Sequence, residues 1–325
     1  MESRAQPFRS APRTGPDGRG VTPTRTAARS RGTARLLLAG SGVCFGLMAV
    51  LARKLSRGAG GFTAGHLSVL RFVVGALVSL VVFRLRPGLY RPHNVRLLVS
   101  RGISGGLVVV LYFAALARIP AGEAGLLYNL FPILATGMSF FTFGERPTVH
   151  LLLALVVATG GVALVLGDSA LHVGVGWGEA AAVAAALFAA TSANVIRAMR
   201  GTDNAPTIFF WFCVAGLPVV LPFALDPWPA LGPDYAVAVL VALAAFAAQV
   251  LMTEAYGALS VSEAAVWLQL TPIAQYALAV PLLGEHPTWT GMAGVVAGVA
   301  GVAYGTVLGR RAPTPAPAAA TAPRG

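Results

Sequence analysis

The sequence predicts an all-α polytopic membrane protein with ten transmembrane helices in two inverted five-helix repeats. Three observations predict it: the composition, ten long apolar stretches, and motifs that recur 140 positions apart. Of the 325 residues, 56% are hydrophobic and only 11% are charged, and the mean hydropathy is +0.72. Soluble domains carry about 25% charged residues, so this chain has too few to cover a water-facing surface.

Ten apolar stretches approach or exceed the roughly 18 residues that span a bilayer. They lie at 34–51, 66–84, 97–117, 121–143, 149–167, 176–196, 206–225, 235–257, 262–283 and 288–308. The connections between them are short, which leaves too little polar chain to wrap a soluble core. An Arg/Pro-rich tail at 1–33 and a Pro/Ala-rich tail at 309–325 have no apolar period, so we expect both to be disordered.

The basic residues are distributed asymmetrically about the spans. The net charge is +12, and 18 of the 24 Lys and Arg residues fall in the two tails and the even-numbered connections. By the positive-inside rule, both termini lie in the cytoplasm of a multi-pass cell-membrane protein. Arg outnumbers Lys 23 to 1, which indicates a bacterial genome rich in GC. The positive charge is therefore a topology signal, and we expect no nucleic-acid partner.

Motifs of residues 121–163 recur at 261–303 with a constant offset of 140. Matching elements include the pairs Glu123/Glu263, Leu130/Leu270, Pro132/Pro272 and Gly161/Gly301, and the turns Gly144-Glu-Arg-Pro-Thr and Gly284-Glu-His-Pro-Thr. The repeats are predicted at 34–167 and 177–308, joined by a linker at 168–176. Five spans per half force opposite orientations, an arrangement that places a substrate site near the midplane between the halves.

Arg71 is the first candidate for substrate binding. It lies inside the second span, where a charge is costly unless it faces a cavity or finds a partner. Its planar guanidinium can hold a carboxylate or another anionic group. The alternative is a side chain that snorkels to the nearer interface. Arg101 also falls inside a span.

The second repeat supplies further candidates, with counterparts in the first. Asn129 pairs with Gln269 beside Pro132 and Pro272, and a mid-span proline frees a backbone carbonyl and kinks the helix. Such polar groups can line a cavity, although the kinks can also serve only to fit neighbouring helices. Three residues share one helical face and would suit an amphipathic substrate: Trp267, Thr271 and Gln275. Aromatic residues in spans are more often packing or interface anchors.

Glutamates are the candidate acids. Glu254 in the eighth span is the candidate for proton coupling, because desolvation favours a protonated carboxyl; the alternative is a solvated interfacial side chain. Glu123 and Glu263 fit helix caps, and Ser260 with Glu263 forms a capping-box pattern. Glu145 and Glu285 fit turns, since Pro147 and Pro287 can start the next helix.

Several of these motifs resemble the EamA-type repeat of the drug/metabolite transporter superfamily. They are Tyr112-Phe-Ala-Ala-Leu-Ala, Ile119-Pro-Ala-Gly-Glu-Ala, Leu130-Phe-Pro-Ile and Phe143-Gly-Glu-Arg-Pro-Thr, with Ala255-Tyr-Gly-Ala-Leu, Ser262-Glu-Ala, Leu270-Thr-Pro-Ile and Leu283-Gly-Glu-His-Pro-Thr in the second half. Leu70-Arg71-Phe72 is similar to that family's usual arginine. The resemblance covers about residues 34–308 and implies a ten-helix carrier of small metabolites, including amino acids.

We therefore expect a secondary transporter, not an enzyme, that works by alternating access and favours export of a small metabolite such as an amino acid or related amphipathic compound. The sequence contains no phosphate-binding loop that would indicate a nucleotide-driven pump. No metal or cofactor is expected. The expected partners are the small-molecule substrate and membrane lipid, and a homodimer is left open. The alternative is a membrane-embedded enzyme acting on a lipid-linked substrate, but the five histidines are scattered over different loops and helix ends. A channel is the weaker third option, because no ring of like charges is visible.

Overall fold

The computed structural model describes residues 30–57, 61–116, 118–119, 121–166 and 176–309, and these residues form helices and short connections. The helices are α1 (Arg31–Arg57), α2 (Ala64–Leu85), α3 (Val95–Leu116), α4 (Ala121–Tyr128), α5 (Phe131–Phe143), α6 (Val149–Leu166), α7 (Trp177–Met199), α8 (Ala205–Val220), α9 (Asp234–Ala255), α10 (Val261–Leu268), α11 (Leu270–Leu283) and α12 (Trp289–Leu308). The predicted tails and most of the linker lie outside the described residues.

These helices make ten segments that are long and apolar enough to cross a membrane, so the predicted ten-span fold is confirmed. The first span is longer than the 34–51 expected from hydropathy, because α1 continues through Arg31 and Arg35 at one end and Arg53 and Lys54 at the other. Helical hydrogen bonding does not stop where the apolar run stops, since long cationic side chains can reach the interface from inside a helix.

Two spans are built from two helices each. α4 and α5 are separated at 129–130, and α10 and α11 at Gln269. Pro132 and Pro272 lie in the first turn of the second helix of each pair. A proline has no N–H to donate and is tolerated in a first turn, where the amide has no partner within the helix. Each proline therefore follows a break at the corresponding place in its repeat.

The turns that follow α5 and α11 share one construction. Gly144 and Gly284 end the helices with φ of 62° and 66°, a left-handed conformation that glycine adopts without steric cost. Four residues later, the hydroxyls of Thr148 and Thr288 accept hydrogen bonds from the amides of the next helix. The repeated five-residue motif thus ends one helix and caps the next.

The crossing of α6 and α12 shows that the two halves are related by a two-fold rotation. A Cβ on Gly161 would lie 2.5 Å from the backbone nitrogen of Gly298, and a Cβ on Gly301 would lie 2.8 Å from that of Ala158. Gly161 and Gly301 are 140 residues apart, and so are Ala158 and Gly298. Each contact is the repeat of the other, as a two-fold axis between the helices requires.

The other main contacts also join the two halves. α3 packs on α7 and α8, and α9 packs in the matching way on α1 and α2. α2 crosses α8 where the rings of Phe72 and Phe212, again 140 residues apart, lie 4.9 Å apart. The halves are thus interlocked. We call the end where α1 begins and α12 ends the termini end, and the other the opposite end.

Candidate functional site

Arg71 lies in the interior of the bundle. Its position on α2 is about 10 Å from the first residue of the helix, at 1.5 Å per residue. The guanidinium carbon lies 5.6 Å from the ring centre of Phe212 and 5.8 Å from that of Phe72, and one nitrogen lies 3.9 Å from the sulfur of Met48. Its Nε is buried without a hydrogen-bond partner. The side chain packs inward against aromatic rings, so the snorkelling alternative does not describe it.

A second arginine, which the sequence reasoning did not nominate, lies beside Arg71. Arg101 on α3 is 4% exposed, and its guanidinium carbon lies 4.3 Å from the ring centre of Phe212. One nitrogen donates to Oε1 of Gln249 at 3.1 Å, and Nε has no partner. The signal for Arg101 was available, because any charge inside a span is a functional candidate.

One tyrosine and one cysteine side chain lie near the two guanidinium groups. The Tyr128 hydroxyl and the Cys213 thiol lie within electrostatic range of both cations. The ring of Tyr128 packs against Tyr112 at 5.0 Å and against Phe131 at 5.4 Å. The site therefore joins two positive charges to an aromatic wall from the first repeat. Such a site can hold an anionic group and cover an apolar one.

Trp267, Thr271 and Gln275 lie at the junction of α10 and α11. All three are partly exposed although they belong to a membrane span. The indole nitrogen of Trp267 is buried and unpartnered, which leaves one donor free to bind. Gly46 allows α1 to approach α11 closely, since a Cβ there would lie 2.7 Å from the backbone nitrogen of Gln275. This face thus lies against α1 of the first repeat.

Asn129 and Gln269 occupy the two helix breaks, with different contacts. Asn129 donates from its side chain to the carbonyl of Gly125, one turn earlier. Gln269 is fully buried and donates to the hydroxyl of Thr159 on α6 at 2.7 Å, while its Oε1 is unpartnered. Each side-chain amide thus donates a hydrogen bond near a helix break: Asn129 to a backbone carbonyl of its own span, and Gln269 to a side chain of α6.

Glu254 has an ionic partner that its sequence position did not reveal. Nη2 of Arg200 lies 3.0 Å from Oε2 of Glu254, whose side chain is 23% exposed. The pair joins the last turn of α9 to the end of α7, at the termini end. The ion pair gives Glu254 a structural role beside the hypothesis of proton coupling.

The termini end is closed by charged contacts between the halves. Glu145 accepts a hydrogen bond from the first amide of α10, at Val261, and lies 3.8 Å from Arg197. Glu263 lies 2.6 Å from Arg35. The Ser260 hydroxyl caps the amide of Glu263 as the capping-box pattern predicts, but the glutamate carboxylate binds α1 instead of closing the box.

The opposite end is more open. Glu285, the repeat counterpart of Glu145, lies 3.0 Å from Arg53, and both side chains are about a third or more exposed, at 32% and 41%. A cleft of about 500 Å³ opens between the end of α3 and the start of α7, lined by Ala114, Arg118, Trp177 and Ala181. The side chain of Glu123, the repeat counterpart of Glu263, is not among those that the structure describes.

The described part of the chain holds no cluster of three or more His, Cys, Asp or Glu residues that could bind a metal ion. Charge in the interior of the bundle is instead positive, at Arg71 and Arg101. The arrangement suits recognition of an anionic solute between two interlocked halves.

Comparisons with known proteins agree with this architecture. The chain is 26% identical over 200 residues to the pseudopaline exporter CntI of two Pseudomonas aeruginosa strains, which covers 59% of this chain and 68% of each exporter. A crystal structure of a protein with 22% sequence identity superposes with a TM-score of 0.74 over 86% of this chain and 98% of the other. The EamA-like transporter family matches residues 32–167 and 176–306, one match for each repeat, and the chain therefore belongs to the EamA-like transporter family.

Proposed function

We propose that this membrane transporter is a secondary carrier that exports a small, anionic, amphipathic metabolite across a bacterial plasma membrane by alternating access. The observation that carries the proposal is the guanidinium of Arg71, which lies inside the bundle against aromatic rings and without a carboxylate partner among the described residues. A buried cation without a counterion is costly, and a substrate can supply the missing negative charge. A carboxylate fits the planar guanidinium best.

The rest of the candidate site has a place in this proposal. Tyr112, Tyr128 and Trp267 would cover the apolar part of the substrate, and Thr271 and Gln275 would offer hydrogen bonds from the second repeat. Asn129 and Gln269, with Pro132 and Pro272, would hold the broken helices in place around it. Two inverted halves that interlock can rock against each other and expose a central site to either side in turn.

The direction and orientation rest on charge and on relatives. Most Lys and Arg residues belong to the tails and the connections at the termini end, which favours a cytoplasmic location for that end. Export is favoured because the curated relatives are pseudopaline exporters. Fusions of alkaline phosphatase to each terminus test the orientation: inactive fusions support it, and active fusions contradict it, because the enzyme folds only outside the cytoplasm.

Transport itself is tested in inside-out membrane vesicles from an overexpressing strain. Labelled pseudopaline and a panel of labelled amino acids are offered to the outer face of the vesicles, which is the former cytoplasmic side. We expect at least one probe to accumulate with saturation. Arg71→Gln should reduce its uptake by about 10-fold or more, because a charged hydrogen-bonded contact is worth about 1.5–3 kcal/mol.

Arg84→Gln is the matched control for that variant. Arg84 lies on the same helix but is exposed at its end, so the substitution should leave uptake unchanged. Accumulation without saturation would point to a channel. Equal uptake by wild type and Arg71→Gln would remove Arg71 from the site.

A further inference from the structure

The interior of the bundle holds two cations rather than one. Arg101 is more deeply buried than Arg71, and within the described residues its guanidinium donates a hydrogen bond to a neutral acceptor, Oε1 of Gln249. Its Nε is buried without a partner. A buried guanidinium normally has a carboxylate partner, and the described residues place none in contact with Arg101 or with Arg71.

The two cations share one neighbour and act on each other. Both guanidinium groups lie over the ring of Phe212, at 5.6 Å for Arg71 and 4.3 Å for Arg101. Each lies within range of the other's positive charge. Cation–π contacts offset part of the cost, but the ring carries no net charge. The acids at the termini end are already engaged: Glu254 with Arg200, and Glu145 with Arg197.

We propose that the transported substrate carries two anionic groups, one bound by Arg71 and the other by Arg101. The inference rests on the proposed transport function and specifies its substrate class as a small dicarboxylate. A ligand with two carboxylates neutralises both cations, whereas a monocarboxylate leaves one buried charge without compensation. The tyrosine wall of Tyr112 and Tyr128 covers the carbon chain that joins the two acidic groups.

Gln249 provides a direct test, because a single isosteric change puts the missing carboxylate into the protein itself. Gln249→Glu places a negative charge where Arg101 already donates a hydrogen bond. The substitution should raise the melting temperature of the ligand-free protein, since a buried cation gains a counterion. It should also weaken dicarboxylate binding, because the new carboxylate competes with the ligand for Arg101.

Binding is measured on the purified full-length protein in detergent, as the rise of melting temperature with ligand. The probes are the unbranched dicarboxylates from malonate to pimelate, each compared with the monocarboxylate of equal carbon number. For wild type, at least one dicarboxylate should bind about 10-fold or more tightly than its monocarboxylate partner. Arg101→Gln and Gln249→Glu should abolish that difference, and Arg101→Lys should retain part of it.

Arg96→Gln is the matched control. Arg96 lies on α3 like Arg101 but is exposed, so the variant should bind as wild type does. Equal binding of mono- and dicarboxylates, no binding of any probe, or an unchanged preference in Gln249→Glu would overturn the inference.

The vesicle assay separates this inference from the proposed function. Saturable uptake that needs Arg71 but is unaffected by Arg101→Gln would leave the carrier in place and refute the two-anion site. Conversely, a dicarboxylate preference that needs Arg101, in a protein that shows no uptake of any probe, would support the site and contradict transport.

Discussion

At the scale of single residues, the interior charges are positive and the acids lie at the ends. Arg71 and Arg101 pack over Phe212 in the interior, whereas Glu145, Glu254 and Glu263 pair with cations at the termini end. In the proposed carrier, substrate recognition and closure of the bundle therefore use different charged groups. A mutation at an acid should alter coupling or conformation, and one at an interior arginine should alter binding.

Glu254→Gln tests the proposal of proton coupling. If the carboxylate of Glu254 carries a proton during transport, the substitution should flatten the pH dependence of vesicle uptake, because the amide cannot titrate. Asp234→Asn is the control, since Asp234 lies exposed at the other end of the same helix. A pH profile identical to wild type would leave Glu254 with only its ion pair to Arg200.

The side-chain partners could not be predicted from one sequence. Arg35 and Glu263 are 228 positions apart, and nothing in their local patterns indicates that they meet. The pairing of Arg200 with Glu254 depends likewise on how α7 and α9 pack. Arg101, by contrast, could have been predicted as a site residue from the sequence. It lies inside a span, and the energetic cost of a charge within the membrane applies to it as much as to Arg71.

At the scale of helices, glycine determines how closely the halves approach. α6 and α12 meet through Gly161, Gly294 and Gly301, where a Cβ would reach the facing backbone. Lipid offers no hydrophobic drive between helices, so close packing of small residues is a main source of their association. The absence of side chains at these positions therefore allows α6 and α12 to cross in close backbone contact.

Gly161→Ala should destabilise the protein by about 1–3 kcal/mol. The new methyl group would clash with backbone atoms, which cannot move aside by changing rotamer as a side chain can. Gly160→Ala is the matched control: a Cβ at Gly160 meets nothing within 4 Å. There the alanine should be neutral or slightly stabilising, since alanine favours the helix over glycine by roughly 1 kcal/mol. Melting temperatures in detergent measure both variants, and equal shifts would contradict the close crossing.

Most of the helical architecture followed from the sequence. Apolar length predicted the ten spans, and an odd number of spans per repeat predicted the inversion. The close glycine crossing did not follow, because it depends on which face of α6 turns toward α12. Hydropathy also missed the ends of α1, where charged residues continue the helix beyond its apolar part.

At the scale of the whole molecule, the two repeats have the same fold but different surroundings. Glu145 is buried and holds the first amide of α10, whereas its counterpart Glu285 is partly exposed beside Arg53. In carriers built from inverted repeats, alternating access comes largely from rocking or gating of one repeat against the other. In the proposed mechanism, the structure would be a state closed at the termini end.

Distances between spin labels at the two ends of the bundle test alternating access most directly. Cys44 and Cys213 are the only cysteines in the sequence, and both are replaced before labelling. One pair of labels is placed at the termini end, at the exposed positions Thr142 and Gly201. The other pair is placed at the opposite end, at the exposed positions Ser56 and His286. Glu145→Ala removes the acceptor that closes the termini end, and Glu285→Ala serves as its control. We expect Glu145→Ala to lengthen the 142–201 distance and to shorten the 56–286 distance in the same molecules, with little change in the control. Distances that lengthen together at both ends, or that do not respond to Glu145→Ala, would contradict alternating access between these two halves.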